Sequence, residues 1–148
     1  MKAKITGDKR LMKTMDGIVA MTGQEITDAL MKIGFKIKTT AITSIQHSPA
    51  SGKVYEKYTP RRTHKASAPG EPPATDEGTL VRSIEVTQRG NDVYVFTDVD
   101  HGRYLELGTL DIRPRPWLKP ALKEHEEELP KGIKKAVMSG IKKATKKS

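Results

Sequence analysis

Apolar residues recur every three or four positions over two long stretches, and every second position over one short stretch. In the first stretch Ile26, Leu30, Ile33, Ile37, Ala41 and Ile45 share one helical face. That spacing predicts an amphipathic helix over residues 23–46. Thr22-Gly23-Gln24-Glu25 fits a capping box, with Thr at the N-cap and Glu three residues on. Gly34 weakens the helix by about 1 kcal/mol relative to Ala, and Thr39, Thr40 and Thr43 weaken its last turns. Leu11, Met12, Met15, Ile18 and Val19 predict a separate, shorter helix upstream, its methionines serving as adaptable packing. In the second stretch Leu118, Leu122, His125, Leu129, Ile133, Val137 and Ile141 form the stripe of a helix that begins at Pro120. Glutamates gather near its start and lysines near its end, which suits the helix dipole. Pro130 is expected to kink this helix or split it.

Between the helices the period changes to two. Ile84 and Val86, then Val93 and Val95, alternate with polar neighbours around Gly90-Asn91. This predicts a hairpin with Val86 opposite Val95 and Ile84 opposite Thr97. The other face carries Glu85, Thr87, Tyr94 and Phe96. Val54–Tyr58 reads as a short strand, and His101–Leu107 as a helical turn ended by Gly108. Arg113-Pro114-Arg115-Pro116 is expected to be extended, because a residue before proline avoids the helical region. Residues 59–79 are rich in proline and glycine and predict a long loop or arm. The predicted fold is α+β: a small antiparallel sheet centred on a hairpin, packed by two long amphipathic helices. The expected organisation is one domain over 1–148, with an N-terminal segment over 1–21 and a flexible basic tail over 142–148.

Composition narrows the setting. The 148 residues carry 27 Lys and Arg against 18 Asp and Glu, a net charge of +9. Only 35% are hydrophobic. No run approaches the roughly 18 apolar residues of a membrane span. Ile18–Met21 is too short for the about 7–15 residues of a secretory h-region, so no leader is expected. Cysteine is absent, which excludes disulfides, thiolate nucleophiles and cysteine zinc sites. The charge is divided along the chain: residues 66–112 sum to −6, residues 1–65 to +8 and residues 131–148 to +7. Such blocks are either solvated surface or a negative and a positive face able to pair copies head to tail.

Candidate chemistry is sparse. Gly52-Lys53 is followed by Val54, so no phosphate loop is present, and no dinucleotide or nucleophile-elbow pattern occurs. Asp98, Asp100, His101 and Glu106 either gather as a cation site or divide into caps and surface. His125 fits a core or interface position better than a ligand. The lysines of residues 131–147 suit phosphate contact but lack aromatic residues for base stacking. A basic nucleic-acid-binding module without sequence specificity is therefore the alternative function. A metal-dependent hydrolase using Asp98, Asp100 and His101 is a more distant one.

Three motifs follow in order. Residues 67–84 read Ser-Ala-Pro-Gly-Glu-Pro-Pro-Ala-Thr-Asp-Glu-Gly-Thr-Leu-Val-Arg-Ser-Ile. Tyr104-Leu105-Glu106-Leu107-Gly108-Thr109 comes next, then Arg113-Pro114-Arg115-Pro116-Trp117-Leu118-Lys119-Pro120-Ala121-Leu122. Over residues 55–140 this order resembles the neck or tail-completion (head–tail connector) protein family of long-tailed double-stranded DNA bacteriophages. Glu77 stands where that family usually has Thr, Tyr104 and Glu106 are closer together, and Trp117 replaces a Phe. The resemblance implies a structural virion protein, not an enzyme, with no cofactor and no catalytic or metal-binding residue. It implies a ring, a hexamer by preference, around the DNA channel at the head–tail junction of the virion, made in the host bacterial cytoplasm. Its partners would be a head-closure or connector protein, a tail terminator and the passing double-stranded DNA, with no membrane. Candidate inter-subunit or partner-binding residues are Arg61, Arg62, His64, Lys65, Glu71, Tyr104, Glu106, Arg113, Arg115 and Trp117. Tyr104, Leu107, Trp117 and Leu118 are expected to form one apolar cluster, as monomer core or as interface.

Overall fold

A computed structural model describes residues 9–146. The order is α1 (Lys9–Gln46), β1 (Val54–Tyr58), β2 (Arg61–Lys65), α2 (Thr79–Ser83), β3 (Glu85–Arg89), β4 (Asp92–Phe96), α3 (Asp100–Leu107), α4 (Leu118–His125) and α5 (Glu128–Lys146). The fold is α+β, with two antiparallel two-stranded sheets, β1–β2 and β3–β4.

The two helices expected at the N-terminal end are one. α1 runs 38 residues without a break, about 57 Å at 1.5 Å per residue. Thr22 is not an N-cap, because helix α5 lies against it: a Cβ added at Gly140 would stand 2.5 Å from Thr22 Cα. The Glu25 carboxylate turns to Ser139 and Lys143 of α5 instead of reaching back to its own helix end. The tertiary contact thus outweighs the local capping signal. Of the expected apolar face, Ile33, Ile37, Ala41 and Ile45 are buried. They join Leu80, Ile84, Trp117 and Ala121 in the core.

The C-terminal helix is split, as Pro130 led one to expect, but the break falls at residues 126–127. Pro130 sits in the first turn of α5, where its missing N–H costs nothing. The buried stripe of α5 differs from the expected one. Ala136, Gly140 and Ala144 are buried, whereas Leu122 and Ile141 are exposed. Small residues four apart let α5 approach α1 nearly backbone to backbone. Gly140→Ala must therefore push the helices apart, and we expect a loss of about 1–2 kcal/mol in urea unfolding; an unchanged midpoint would refute the close approach.

Where α4 meets α5, His125 closes a polar contact to α1. Its Nε2 is 2.8 Å from Thr40 Oγ1, and its Nδ1 donates to Glu128 Oε1 at 2.8 Å. Glu128 also accepts from Lys36 Nζ at 2.5 Å. His125 is thus a half-buried packing residue.

The β3–β4 hairpin has the expected register, with Val86 opposite Val95 and a turn at Gly90-Asn91. Its apolar face lies on α1 at Gly34. A Cβ there would stand 2.9 Å from Val86 Cγ1 and 3.2 Å from Val93 Cγ1. The glycine that weakens the helix locally is what admits the sheet.

Candidate interaction surfaces

Residues 59–79 do not form one irregular loop. Arg61–Lys65 is strand β2, paired to β1 from Val54↔Lys65 to Tyr58↔Arg61. Hydrogen bonds from Gly52 N to Ala66 O and from Ala66 N to Lys53 O extend the ladder at its base. Alternation places Lys57, Arg62 and His64 on one face of this second hairpin. There Asp76 receives Lys57 Nζ and Arg62 Nη1, and His64 Nδ1 stands 3.6 Å away. Arg62 Nη2 also bonds Glu77 at 2.8 Å. The opposite face, with Val54, Tyr58, Arg61 and Lys65, is exposed. Asp76 is therefore a latch that holds the hairpin to the returning segment. Asp76→Asn should speed tryptic cleavage at Lys57 and Arg61 while leaving the global melting temperature nearly unchanged. Unaltered cleavage would contradict the latch.

The returning segment is fastened to the body. Ser48 Oγ donates to Pro72 O at 2.6 Å, and buried Ser67 offers its carbonyl to Arg115 Nε at 3.1 Å. Glu71 accepts from the hydroxyl and N–H of Ser51 and from the N–H of Ala68. Gly70 N donates to Pro114 O at 2.9 Å, and Arg115 N to Leu105 O at 2.7 Å.

Glu106 completes this junction. Its Oε2 accepts from the N–H groups of Trp117 (2.7 Å) and Leu118 (2.8 Å), and its Oε1 from that of Lys119 (2.9 Å). A carboxylate from α3 thus caps the start of α4, where free N–H groups and the helix dipole favour negative charge. Trp117 is 2% exposed, and its indole N–H donates to Gly102 O at 2.9 Å. Leu118 packs against the same core. Tyr104 and Leu107 do not join them; both face solvent, because the exposed side of α3 carries residues 100, 103, 104 and 107. Arg113 is exposed and Arg115 half-buried. The candidate list therefore divides. Glu71, Glu106, Arg115 and Trp117 build the protomer, Arg62 and His64 hold the hairpin, and Arg61, Lys65, Tyr104 and Arg113 are exposed.

The possible cation cluster does not assemble. Glu106 is committed to α4, and Asp98, Asp100 and His101 are exposed. Among the described residues no three His, Cys, Asp or Glu side chains stand close enough to hold a metal ion. Neither aspartate caps α3 with its side chain; Val99 is the N-cap, and Asp100 lies in the first turn.

Four carboxyls are held below the usual carboxylate range by their partners. Lys143 and then Ser139 lower Glu25, and the Ser51 hydroxyl followed by backbone N–H groups lowers Glu71. Lys57 and then Arg62 lower Asp76 against an opposing push from burial. Lys36 and then His125 lower Glu128. Each carboxyl gives up its proton more readily folded than unfolded. Its stabilisation is present above the ordinary carboxylate range and is lost as pH falls through the lowered value. Thermal stability should therefore decline on acidification through and below that range. A melting temperature unchanged there would contradict these pairings.

No family model, curated protein or solved structure matches this chain. No helix among the described residues is long and apolar enough to cross a membrane.

Proposed function

We propose that this chain is a structural virion protein of the phage neck, forming a ring at the head–tail junction and joining the tail to the head connector around the DNA channel. The reading rests on the ordered motif resemblance. The observation that supports it best is that all three motif segments meet in one place. Leu80 and Ile84 from the first, Glu106 from the second and Trp117 from the third share a core or a hydrogen bond with α4. Motifs spread over residues 67–122 thus act as one structural unit, which suits a scaffold that presents surfaces to neighbours. A hexamer is the proposed ring, and its proposed partners are a head-closure or connector protein on one side, a tail terminator on the other, and double-stranded DNA in the channel.

The alternative, a basic nucleic-acid-binding module, draws on the lysines of α5. At the α1–α5 seam two lysines are paired with acids: Lys36 of α1 bonds Glu128 of α5, and Lys143 of α5 bonds Glu25 of α1. That seam is neutralised and offers no phosphate track. Negative-stain imaging beside a gel shift across a salt series separates the two. Closed particles with at most weak, salt-sensitive DNA retention are expected. Tight DNA binding by a particle-free monomer would replace the neck reading with the alternative.

A further inference from the structure

The first turns of α1 carry an apolar stripe that nothing among the described residues covers. Met12, Met15 and Val19 continue the face of Ile26, Leu30, Ile33 and Ile37 at helical spacing. Over residues 30–37 the β3–β4 hairpin and α4 cover that face. Beyond it Met12, Met15 and Val19 are exposed, Val19 by 73%. α5 adds Ile141: with Gly140 against Thr22, Ile141 falls within about one turn of Val19. The surroundings are basic. The last thirteen residues of α5 carry five lysines and no acid, although Lys143 is paired with Glu25, and on α1 exposed Lys13 stands against exposed Asp16.

A second exposed apolar surface has the opposite charge. Tyr104 and Leu107 project from α3, and a tight turn after Gly108 presents Leu110 at its tip. That turn is fixed by three hydrogen bonds: Thr109 N to Ile112 O at 2.8 Å, and the N–H groups of Asp111 and Ile112 to Thr109 Oγ1 at 3.3 and 3.1 Å. An ordered turn thus holds Leu110 at 104% exposure, in one segment with exposed Tyr104, Leu107 and Ile112. Over residues 98–113 the exposed charges are Asp98, Asp100 and Asp111 against Arg103 and Arg113, a small acidic excess.

We infer that these surfaces bind each other between copies of the chain. The Leu110 turn of one copy seats on Met12, Met15, Val19 and Ile141, beside the α1–α5 seam of the next. The methionines there adapt to the seated side chain, and the lysine rim meets the aspartates. The contact is head to tail, since the two surfaces differ, and such contacts close into rings or run on as filaments. The occupant, a second copy, rests on the ring reading above; the pairing of the surfaces stands on exposure and charge.

Sedimentation velocity on the full chain at submillimolar concentration tests the pairing. The wild type should associate, and more weakly as salt rises. Leu110→Asp and Val19→Asp both lie at solvent-exposed sites, so each should keep the wild-type circular dichroism and melting temperature. Each should weaken self-association by about thirtyfold, the loss of one hot-spot side chain. Mixed in equal amounts, the two variants should recover a one-to-one dimer that grows no further, since each supplies the surface the other lacks. Self-association of Leu110→Asp at wild-type strength would overturn the pairing, as would a monomeric wild type or a mixture that fails to dimerise. Rings that persist in both variants would keep the neck reading and sink this interface. Filaments abolished by both would keep the interface and sink the closed ring.

Discussion

Replacing Trp117 by Ala is expected to remove about 3–5 kcal/mol of stability, the range for deleting a large buried aromatic. Domains of this size hold about 5–15 kcal/mol in total, so the variant should be partly unfolded at physiological temperature. The indole closes the core between Leu80, Ile84 and Ala121, and Gly102 beneath it has no room for a side chain. A Cβ there would stand 2.7 Å from Thr97 Cγ2 and 2.8 Å from Leu80 Cδ1. Trp117→Phe keeps most of the apolar volume and loses the hydrogen bond to Gly102 O, so it should cost less, about 1–2 kcal/mol. Trp117 is the single tryptophan. Its emission in the wild type should be that of a buried indole and should shift to the red on unfolding, in step with circular dichroism. A Trp117→Ala chain as stable as the wild type would mean that the indole is an interface residue and not part of the protomer core.

Glu106→Ala is expected to cost about 2 kcal/mol, since three backbone N–H groups lose a charged acceptor together. An ordinary surface carboxylate would cost within about 0.5 kcal/mol. Glu106→Gln retains an oxygen acceptor without the charge and should fall between the two. The effect should be coupled to that of Trp117, because the buried indole, bonded to Gly102 O, holds in place the backbone N–H that donates to Glu106. In a double-mutant cycle the two losses should therefore sum to less than their separate values. Strict additivity in denaturant unfolding would show that the cap and the indole act independently.

Much of the fold was legible because period and partner coincide. The hairpin register follows from alternation and a two-residue turn, and α1 from Ile33 onward follows from its stripe. Gly108 as the end of α3 also follows, with its φ of 76°. The boundary at Thr22 was misread because the deciding contact, Gly140 against Thr22, lies over a hundred residues away in sequence. The stripe of α5 was misread for a related reason: Ala136 and Gly140 carry little hydropathy, yet their small size is what permits close packing. Among candidate residues, the motifs marked Glu106 and Trp117 as important but not as a cap and its neighbour. Asp76 was missed although a signal existed. Arg61, Arg62, His64 and Lys65 precede Glu71, Asp76 and Glu77, and that sorted order is what a chain doubling back on itself requires. Tyr104 and Leu107 were expected to cluster with Trp117 and Leu118, as core or as interface, because all four are large and apolar. The short α3 buries its other side, with Gly102 against the indole, and turns these two outward.

On the proposed function the chain forms rings, with exposed apolar and charged surfaces covered by neighbouring copies. Native mass spectrometry of the purified full-length protein, over a concentration series, tests that most directly. A single closed species is predicted, at a fixed multiple of the 16.4 kDa chain and a hexamer by preference, giving way to monomer on dilution or at high salt. A spectrum containing monomer alone at every concentration would contradict it.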